Sequence, residues 1–174
     1  DPGSFESQAC ALLQAASRQR ALFFLHGNRD FLIGPGFARH TGATLLHDPT
    51  VLVWQGQRLL LSHGDALCLD DVDYQRFRVQ ARSVQWQEHF LAQPLAQRRA
   101  QARGIRAESE ARKQSGAVYA DVDGPAAIAW LRVAQARALI HGHTHLPADH
   151  VLAPGLARHV LTDWDLAAHP PRAG

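Results

Sequence analysis

The sequence predicts an α/β fold in which short parallel strands alternate with helices. Three apolar runs, at residues 21–25, 58–62 and 138–140, are too short for buried helices and suit strands of a parallel sheet. Each run ends in a polar loop that contains histidine and glycine. Because open α/β sheets bind ligands at the carboxyl ends of their strands, these three loops form the candidate site.

The first third of the chain reads as helix, strand, helix and further strands. A helical stripe runs from Ser4 to about Gln19, and residues 21–25 then predict a central parallel strand. A short helix is predicted near Phe37. Residues 45–62 predict two or three strands with a turn at 55–57.

The remainder is predicted to be helical first and to end in strands. Residues 71–115 are helical and basic, and nine basic against four acidic side chains between 72 and 120 give that segment a net charge of +5. Asp123 caps a helix through about Ala136, with proline in its first turn. A strand at 138–140 and a hairpin over 151–164, turning at Pro154 and Gly155, complete the chain.

Length and composition predict one folded domain. The chain has 174 residues with no internal repeat and no long linker, which suits a single domain over residues 1–174. Hydrophobic residues make up 46% and charged residues 20%, which excludes a disordered chain. Eighteen basic against sixteen acidic side chains give a net charge of +2, which argues against bulk nucleic-acid binding.

The termini and cysteines bear on location. Cys10 and Cys68 form no CxxC pair, so a reducing cytosol suits the chain. No apolar run reaches the ~18 residues of a membrane span, and no signal-peptide pattern precedes the first helix. The chain contains no methionine and starts with a turn and a helix cap, so we expect that its natural N-terminus is missing.

Three strand ends carry side chains that bind metals. They are Asn28, His63 and the pair His143 and His145. In extended chain, residues i and i+2 point the same way, so the last two could converge on one metal centre or bridge two. Imidazole with amide oxygen suits Mn, Fe or Zn better than Ca or Mg. One such histidine alone would more often be a solvated side chain.

Charged neighbours of these residues have two interpretations each. Arg29 could hold a phosphate with its planar fork, or could pair with Asp30. An acidic cluster follows His63 and could either serve the candidate metal or form the acidic first turn of a helix. Its members are Asp65, Asp70, Asp71 and Asp73.

An aromatic pair interrupts the basic helical segment. Trp86 and Phe90 are four residues apart and share a helix face. They could pack on the core of the domain, or they could form the apolar side of an insertion whose arginines meet anionic head groups.

Taken together, the motifs GNRD (residues 27–30), HGD (63–65) and GHTH (142–145) resemble the calcineurin-like metallophosphoesterases. Within them, Phe31 after GNRD and the run HGDALCLDD (63–71) resemble the UDP-2,3-diacylglucosamine hydrolases of lipid A biosynthesis. The resemblance covers essentially all of the chain. It implies a four-layer αββα sandwich with a helical insertion at about residues 72–120, here lacking its N-terminal strand region.

The resemblance also implies a site with two metal ions, usually manganese. Asn28, His63 and His143 would bind one ion and act in catalysis, and His145 would bind the other. The substrate contacts that it implies are Asn28, Arg29, Asp71, Ser109, Lys113 and His143. The spacing between Ser109 and Lys113 departs from the family pattern.

The implied enzyme hydrolyses a pyrophosphate. Its substrate would be the glycolipid nucleotide UDP-2,3-diacylglucosamine, attacked at the α-phosphate to give UMP and 2,3-diacylglucosamine 1-phosphate. It would lie peripherally on the cytoplasmic face of the bacterial inner membrane, with no nucleic acid and no obligate protein partner. The alternatives are another calcineurin-like phosphodiesterase and a non-catalytic lipid- or anion-binding domain.

The chain departs from the family before Asn28, where neither a DxH nor a GD motif is present. The carboxylate that bridges the two metals and two further ligands would therefore be lacking. Neutral ligands alone hold a divalent ion less tightly and cannot keep two ions close together. We expect these 174 residues alone to bind at most about one metal ion and to show no hydrolysis.

Overall fold

The α/β class is confirmed by a computed structural model, which describes residues 3–114 and 120–172. In this part of the chain the first four elements alternate as helix, strand, helix and strand, and two further strands, four helices and three strands follow. The helices are α1 Phe5–Ser17, α2 Pro35–Thr41, α3 Val72–Ala81, α4 Val84–Ala92, α5 Leu95–Gln114 and α6 Gly124–Ala134. The strands are β1 Phe23–Leu25, β2 Thr44–Leu46, β3 Thr50–Trp54, β4 Gln57–Ser62, β5 Ala138–His141, β6 Ala148–Ala153 and β7 Leu156–Val160.

Contacts divide the chain into two compact units. Residues up to Asp65 and from Gly124 onward form the first unit, and Ala66–Asp123 forms the second. The first contains all seven strands named above, whereas α3, α4 and α5 make up most of the second.

The strands of the first unit form two sheets. β1 and β2 pair in parallel, and the other five have the order β3-β4-β5-β7-β6. The central pairs β4 with β5 and β5 with β7 are parallel, and the two outer pairs are antiparallel hairpins. α6 lies against β4, β5 and β6, and Leu131 of α6 is buried in the core of this unit, as are Leu60 and Leu139 of the central strands.

Local sequence signals explain most of these boundaries. Ser4 caps α1 by accepting a hydrogen bond from the backbone N–H of Ser7. The β3–β4 turn places Gln55 and Gly56 at φ of 49° and 74°, as a tight turn matching the twist of a hairpin requires. The last hairpin turns at Pro154 and Gly155 as predicted, but β7 ends at Val160 rather than near residue 164.

The prediction that residues 21–25 form a central strand is wrong. Within the described residues β1 pairs with β2 alone, and the side chain of Phe23 is 65% exposed. A continuous apolar run shows that a strand can be buried on both faces, but it does not determine how many strands pair with it.

The interpretation of the aromatic pair as an outward-facing apolar surface is wrong. Trp86 and Phe90 stack with ring centroids 4.9 Å apart, and Phe90 is only 6% exposed. Phe77 adds an edge-on contact to Trp86 at 6.5 Å. The pair therefore packs within this unit, and the exposed apolar side chains here are others, including Val84, Leu91 and Leu95.

Among residues 3–114 and 120–172, none of the helices combines the length and the apolar character needed to cross a bilayer.

Candidate functional site

The centre of the candidate site is a pair of histidines at the ends of β4 and β5. These strands are parallel neighbours, with Ser62 opposite His141, and one residue further the backbone N–H of Gly142 donates to the carbonyl of His63 over 3.2 Å. The rings of His63 and His143 then meet edge to face, with centroids 4.8 Å apart. The structure thus brings together two of the predicted metal ligands.

The loop after β1 reaches the same place. A Cβ atom on Gly27 would lie 3.0 Å from both Nε2 and Cδ2 of His63, so any larger residue there would crowd the ring. The backbone N–H of Gly27 donates to Oδ1 of Asp30 over 2.5 Å, which fixes the loop. Asn28 follows Gly27 directly and is half-buried. The third predicted strand end therefore lies beside the histidine pair.

The side chain of Asp30 binds the backbone of this loop and does not pair with Arg29. Among the described residues Arg29 forms no ion pair with Asp30, and its side chain is exposed. The alternative in which the two residues neutralise each other is therefore wrong.

Two carboxylates, Asp48 and Asp65, contact His63, and of these only Asp65 is a member of the acidic cluster that the sequence points to. Oδ1 of the fully buried Asp65 lies 3.2 Å from Nδ1 of His63. Oδ2 of Asp48 accepts the backbone N–H of His63, also over 3.2 Å. A carboxylate at Nδ1 favours a proton there and leaves Nε2 toward Gly27 as the ligating atom. The spacing of Asp65, two residues after His63, was the available signal.

The expectation that His143 and His145 point the same way from extended chain is wrong. Both residues have positive φ, 68° and 55°, and the N–H of Thr144 donates to the carbonyl of Gly142 over 2.8 Å. This bend breaks the two-residue alternation on which the expectation rested. His143 lies against His63, while the exposed His145 has its Nδ1 3.5 Å from Oδ2 of Asp163.

Asp163 remains ionised over almost the whole pH range. The Arg172 side chain donates to its two oxygens over 2.8 and 2.9 Å, and these hydrogen bonds are the main reason that the pKa of Asp163 falls to about 2.

The His143 imidazole is held in its neutral form. Burial is the main cause that lowers the pKa of His143 to about 4, and the nearby His63 adds to it, while Asp65 opposes it. Only neutral imidazole can bind a metal, so His143 is ready to do so throughout the physiological pH range.

We expect the His143 ring in the metal-free chain to titrate near pH 4, followed by NMR of its ring signals. Because the folded pKa is below the unfolded value, the contribution of this group to stability is fully present above about pH 6.5. That contribution is lost as the pH falls from 6.5 toward 4. His63→Ala removes one cause of the lowered pKa of His143, so it should raise the titration midpoint of His143 part of the way toward 6.5. A wild-type midpoint near 6.5 would contradict the burial argument.

These residues fit a metal ion as a small set of neutral ligands. The features that favour one are the neutral His143, the Nε2 atom of His63 above the space left by Gly27, and the adjacent Asn28. In the part of the chain that the structure describes, no three histidine, cysteine or acidic side chains cluster closely enough to hold an ion. The fit therefore depends on the amide of Asn28 joining the two imidazoles.

The other predicted substrate contacts lie in the second compact unit. Asp71 is the N-cap of α3, and its Oδ1 accepts the backbone N–H of Tyr74 over 3.1 Å. This confirms the helix-cap interpretation for that member of the acidic cluster. Ser109 and Lys113 lie on α5, and their side chains are outside the described residues.

Comparison with known proteins supplies the family. No protein-family model matches the chain. The chain is 46% identical over 166 residues to the UDP-2,3-diacylglucosamine hydrolase of Chromobacterium violaceum, covering 94% of this chain and 70% of that protein. It is 44% identical to the hydrolase of that name from Bordetella pertussis, over 93% of the chain and 65% of the relative. It is 47% identical to the hydrolase of the same name from Aromatoleum aromaticum, over 88% of the chain and 64% of the relative.

The chain thus spans about two thirds of the length of these curated relatives. The aligned residues cover nearly all of the chain, including the three loops that carry the GNRD, HGD and GHTH motifs. The chain belongs to the UDP-2,3-diacylglucosamine hydrolase family.

Proposed function

We propose that the chain forms most of an enzyme that hydrolyses UDP-2,3-diacylglucosamine in lipid A biosynthesis. Water attacks the α-phosphorus, the bond from that phosphorus to the bridging oxygen breaks, and UMP and 2,3-diacylglucosamine 1-phosphate leave. The observation that carries this proposal is the 46% identity to a relative named for that substrate, over 94% of the chain. The convergence of the GNRD, HGD and GHTH loops supports it.

The proposed architecture is the four-layer αββα sandwich of the metallophosphoesterases, with residues of about 72–120 as a helical insertion in a single domain. Two observations support it. The first unit contains two separate sheets, and the strands of the larger sheet are flanked by α6. The segment from Val72 to Gln114 is almost entirely helical.

The proposed chemistry assigns a role to each residue of the first unit. His63, His143 and Asn28 would hold one manganese ion, and His145 would bind the other. When bound, the ions supply neutralisation of phosphate charge and activation of water. Asp65 keeps the His63 ring oriented, and burial keeps His143 unprotonated. Arg29, exposed at the same loop, would bind phosphate oxygens with its two-pronged fork. Asp71, Ser109 and Lys113 are proposed to add substrate contacts.

The test is Mn-dependent release of UMP in ¹⁸O-labelled water. We expect the label in UMP, because the α-phosphorus is attacked, from a protein in which this chain is extended upstream to the length of its relatives. The 174 residues alone are expected to bind at most about one Mn ion and to release no UMP. Label in the sugar phosphate would contradict the site of attack.

Two other results would replace the proposal. Activity on simple nucleotides with none on the glycolipid nucleotide would indicate another phosphodiesterase of this superfamily. Lipid binding without turnover in the extended protein would indicate a non-catalytic domain, which the small ligand set of the described residues would explain.

We further propose peripheral association with the cytoplasmic face of the inner membrane through the +5 segment. Leu91 and Leu95 are exposed apolar side chains in this segment, close in sequence to Arg98 and Arg99. The chain is expected to co-sediment with anionic vesicles at low salt and to be released at high salt. Changing both leucines to serine should weaken binding, whereas Val133→Ser, at an exposed site of the first unit, should not. Equal binding by the two variants would contradict this contact.

A further inference from the structure

The segment after β7 contacts His145 through Asp163 and then forms a loop that is closed between Asp165 and Arg172. Asp165 and Arg172 exchange backbone hydrogen bonds in both directions, each 2.9 Å long. Oδ1 of Asp165 also accepts the backbone N–H groups of Ala167 and Ala168. These hydrogen bonds therefore hold the backbone at Arg172 independently of its side chain.

The side chain of Arg172 in turn fixes Asp163. Its Nε donates to Oδ1 and a terminal nitrogen donates to Oδ2, over 2.8 and 2.9 Å, in the two-pronged geometry that a guanidinium and a carboxylate share. A terminal nitrogen of the same side chain also reaches Oδ2 of Asp165 over 3.2 Å. Because both oxygens of Asp163 are held, the carboxylate has one orientation.

That orientation directs Oδ2 of Asp163 to Nδ1 of His145, 3.5 Å away. The separation is at the long end for a hydrogen bond. A carboxylate at Nδ1 favours the tautomer with its proton there, so that Nε2 carries a lone pair.

We propose that Asp163, held by Arg172, is a positioning residue for His145, fixing the tautomer that presents a bare Nε2 to a metal ion. The assignment of a metal to His145 rests on the proposed function. The tautomer itself does not, because it depends only on the contacts of Asp163.

The chain offers a matched control in the same unit. Nδ1 of His159 on β7 lies 2.6 Å from Oδ1 of Asp149 on β6, in a second histidine–aspartate pair. This pair has no assigned site role.

The experiment is NMR of the histidine ring nitrogens of the metal-free, 174-residue chain at about pH 8, where ordinary histidine is neutral. In the wild type we expect His145 to carry its proton mainly on Nδ1. Asp163→Ala should move it mainly to Nε2, and Arg172→Gln should move it part of the way. Asp163→Asn, whose amide oxygen can still accept, should retain more of the Nδ1 form than Asp163→Ala. Asp149→Ala should leave His145 unchanged.

A wild-type His145 protonated on Nε2, or one that Asp163→Ala does not alter, would overturn the proposal. If Asp163→Ala does not fold, Arg172→Gln decides by the same criterion. In the extended protein, Asp163→Ala is expected to weaken Mn binding at the centre with His145 by about 10- to 100-fold, and unchanged affinity would overturn the metal role. Failure of the hydrolase assay with the expected tautomers would reject the proposed function alone.

Discussion

Replacing His63 or His143 by alanine in the extended protein is expected to lower UMP release by about 10³-fold while leaving the fold intact. Each change removes a proposed metal ligand, and several kcal/mol of charge stabilisation at about 1.4 kcal/mol per factor of ten gives this magnitude. Both residues follow strands in loops, so little core volume is lost. The measurement is kcat for Mn-dependent UMP release, with circular dichroism to verify folding.

A matched control for these variants is His40→Ala, at an exposed position of α2. It should retain wild-type turnover. Asp65→Asn, which keeps the volume of the buried side chain beside His63, should give an intermediate loss, because the ring loses its orienting charge. Near-normal rates for His63→Ala or His143→Ala at saturating Mn would refute their assignment as ligands.

Gly64→Ala is expected to destabilise the first unit strongly. Gly64 has φ of +102°, where a side chain is strained, and a Cβ there would lie 2.7 Å from Nδ1 of His141. The His141 ring is fully enclosed and hydrogen-bonds the carbonyl of Gly142 through the same nitrogen, so it has no room to move. Backbone strain of about 1–3 kcal/mol and overpacking of about 1–3 kcal/mol should add, giving a loss of about 3 kcal/mol or more.

Urea unfolding of the chain measures this loss, and Gly142→Ala provides its control. Gly142 lies in the neighbouring loop and does not have positive φ, and a Cβ atom added there would have open space within 4 Å. Its free energy of unfolding should change by less than about 1 kcal/mol. Equal losses for the two variants would show that neither the strain nor the contact with His141 operates.

Much of the fold could be predicted because the signals are local. The helix cap at Ser4, the turn at Gln55 and Gly56 and the hairpin turn at Gly155 each determine backbone geometry within a few residues. The position of β1 could not be predicted in the same way. Pairing is a long-range property, and an apolar run carries no information about which strands lie next to it.

The candidate site likewise has features that the sequence predicts and features that it does not. The meeting of His63 and His143 follows from the parallel strands that precede them, which the apolar runs indicated. The bend at His143 and His145 could not be predicted, because positive φ at two non-glycine residues is rare and has no pattern in the sequence. Asp163 lies 18 residues after His145 in the numbering, so the contact between their side chains depends on the return of the chain through the last hairpin.

The parallel pairing of β4 with β5 has a consequence for when the site exists. The rings of His63 and His143 lie just beyond the ends of these paired strands, with centroids 4.8 Å apart. Their closeness therefore depends on the ladder that holds the two strand ends side by side. Forming that ladder during folding assembles the histidine pair in the same step, and local opening of the ladder at Ser62 and His141 would disassemble it. Amide hydrogen exchange along these two strands is therefore a direct measure of how often the pair comes apart.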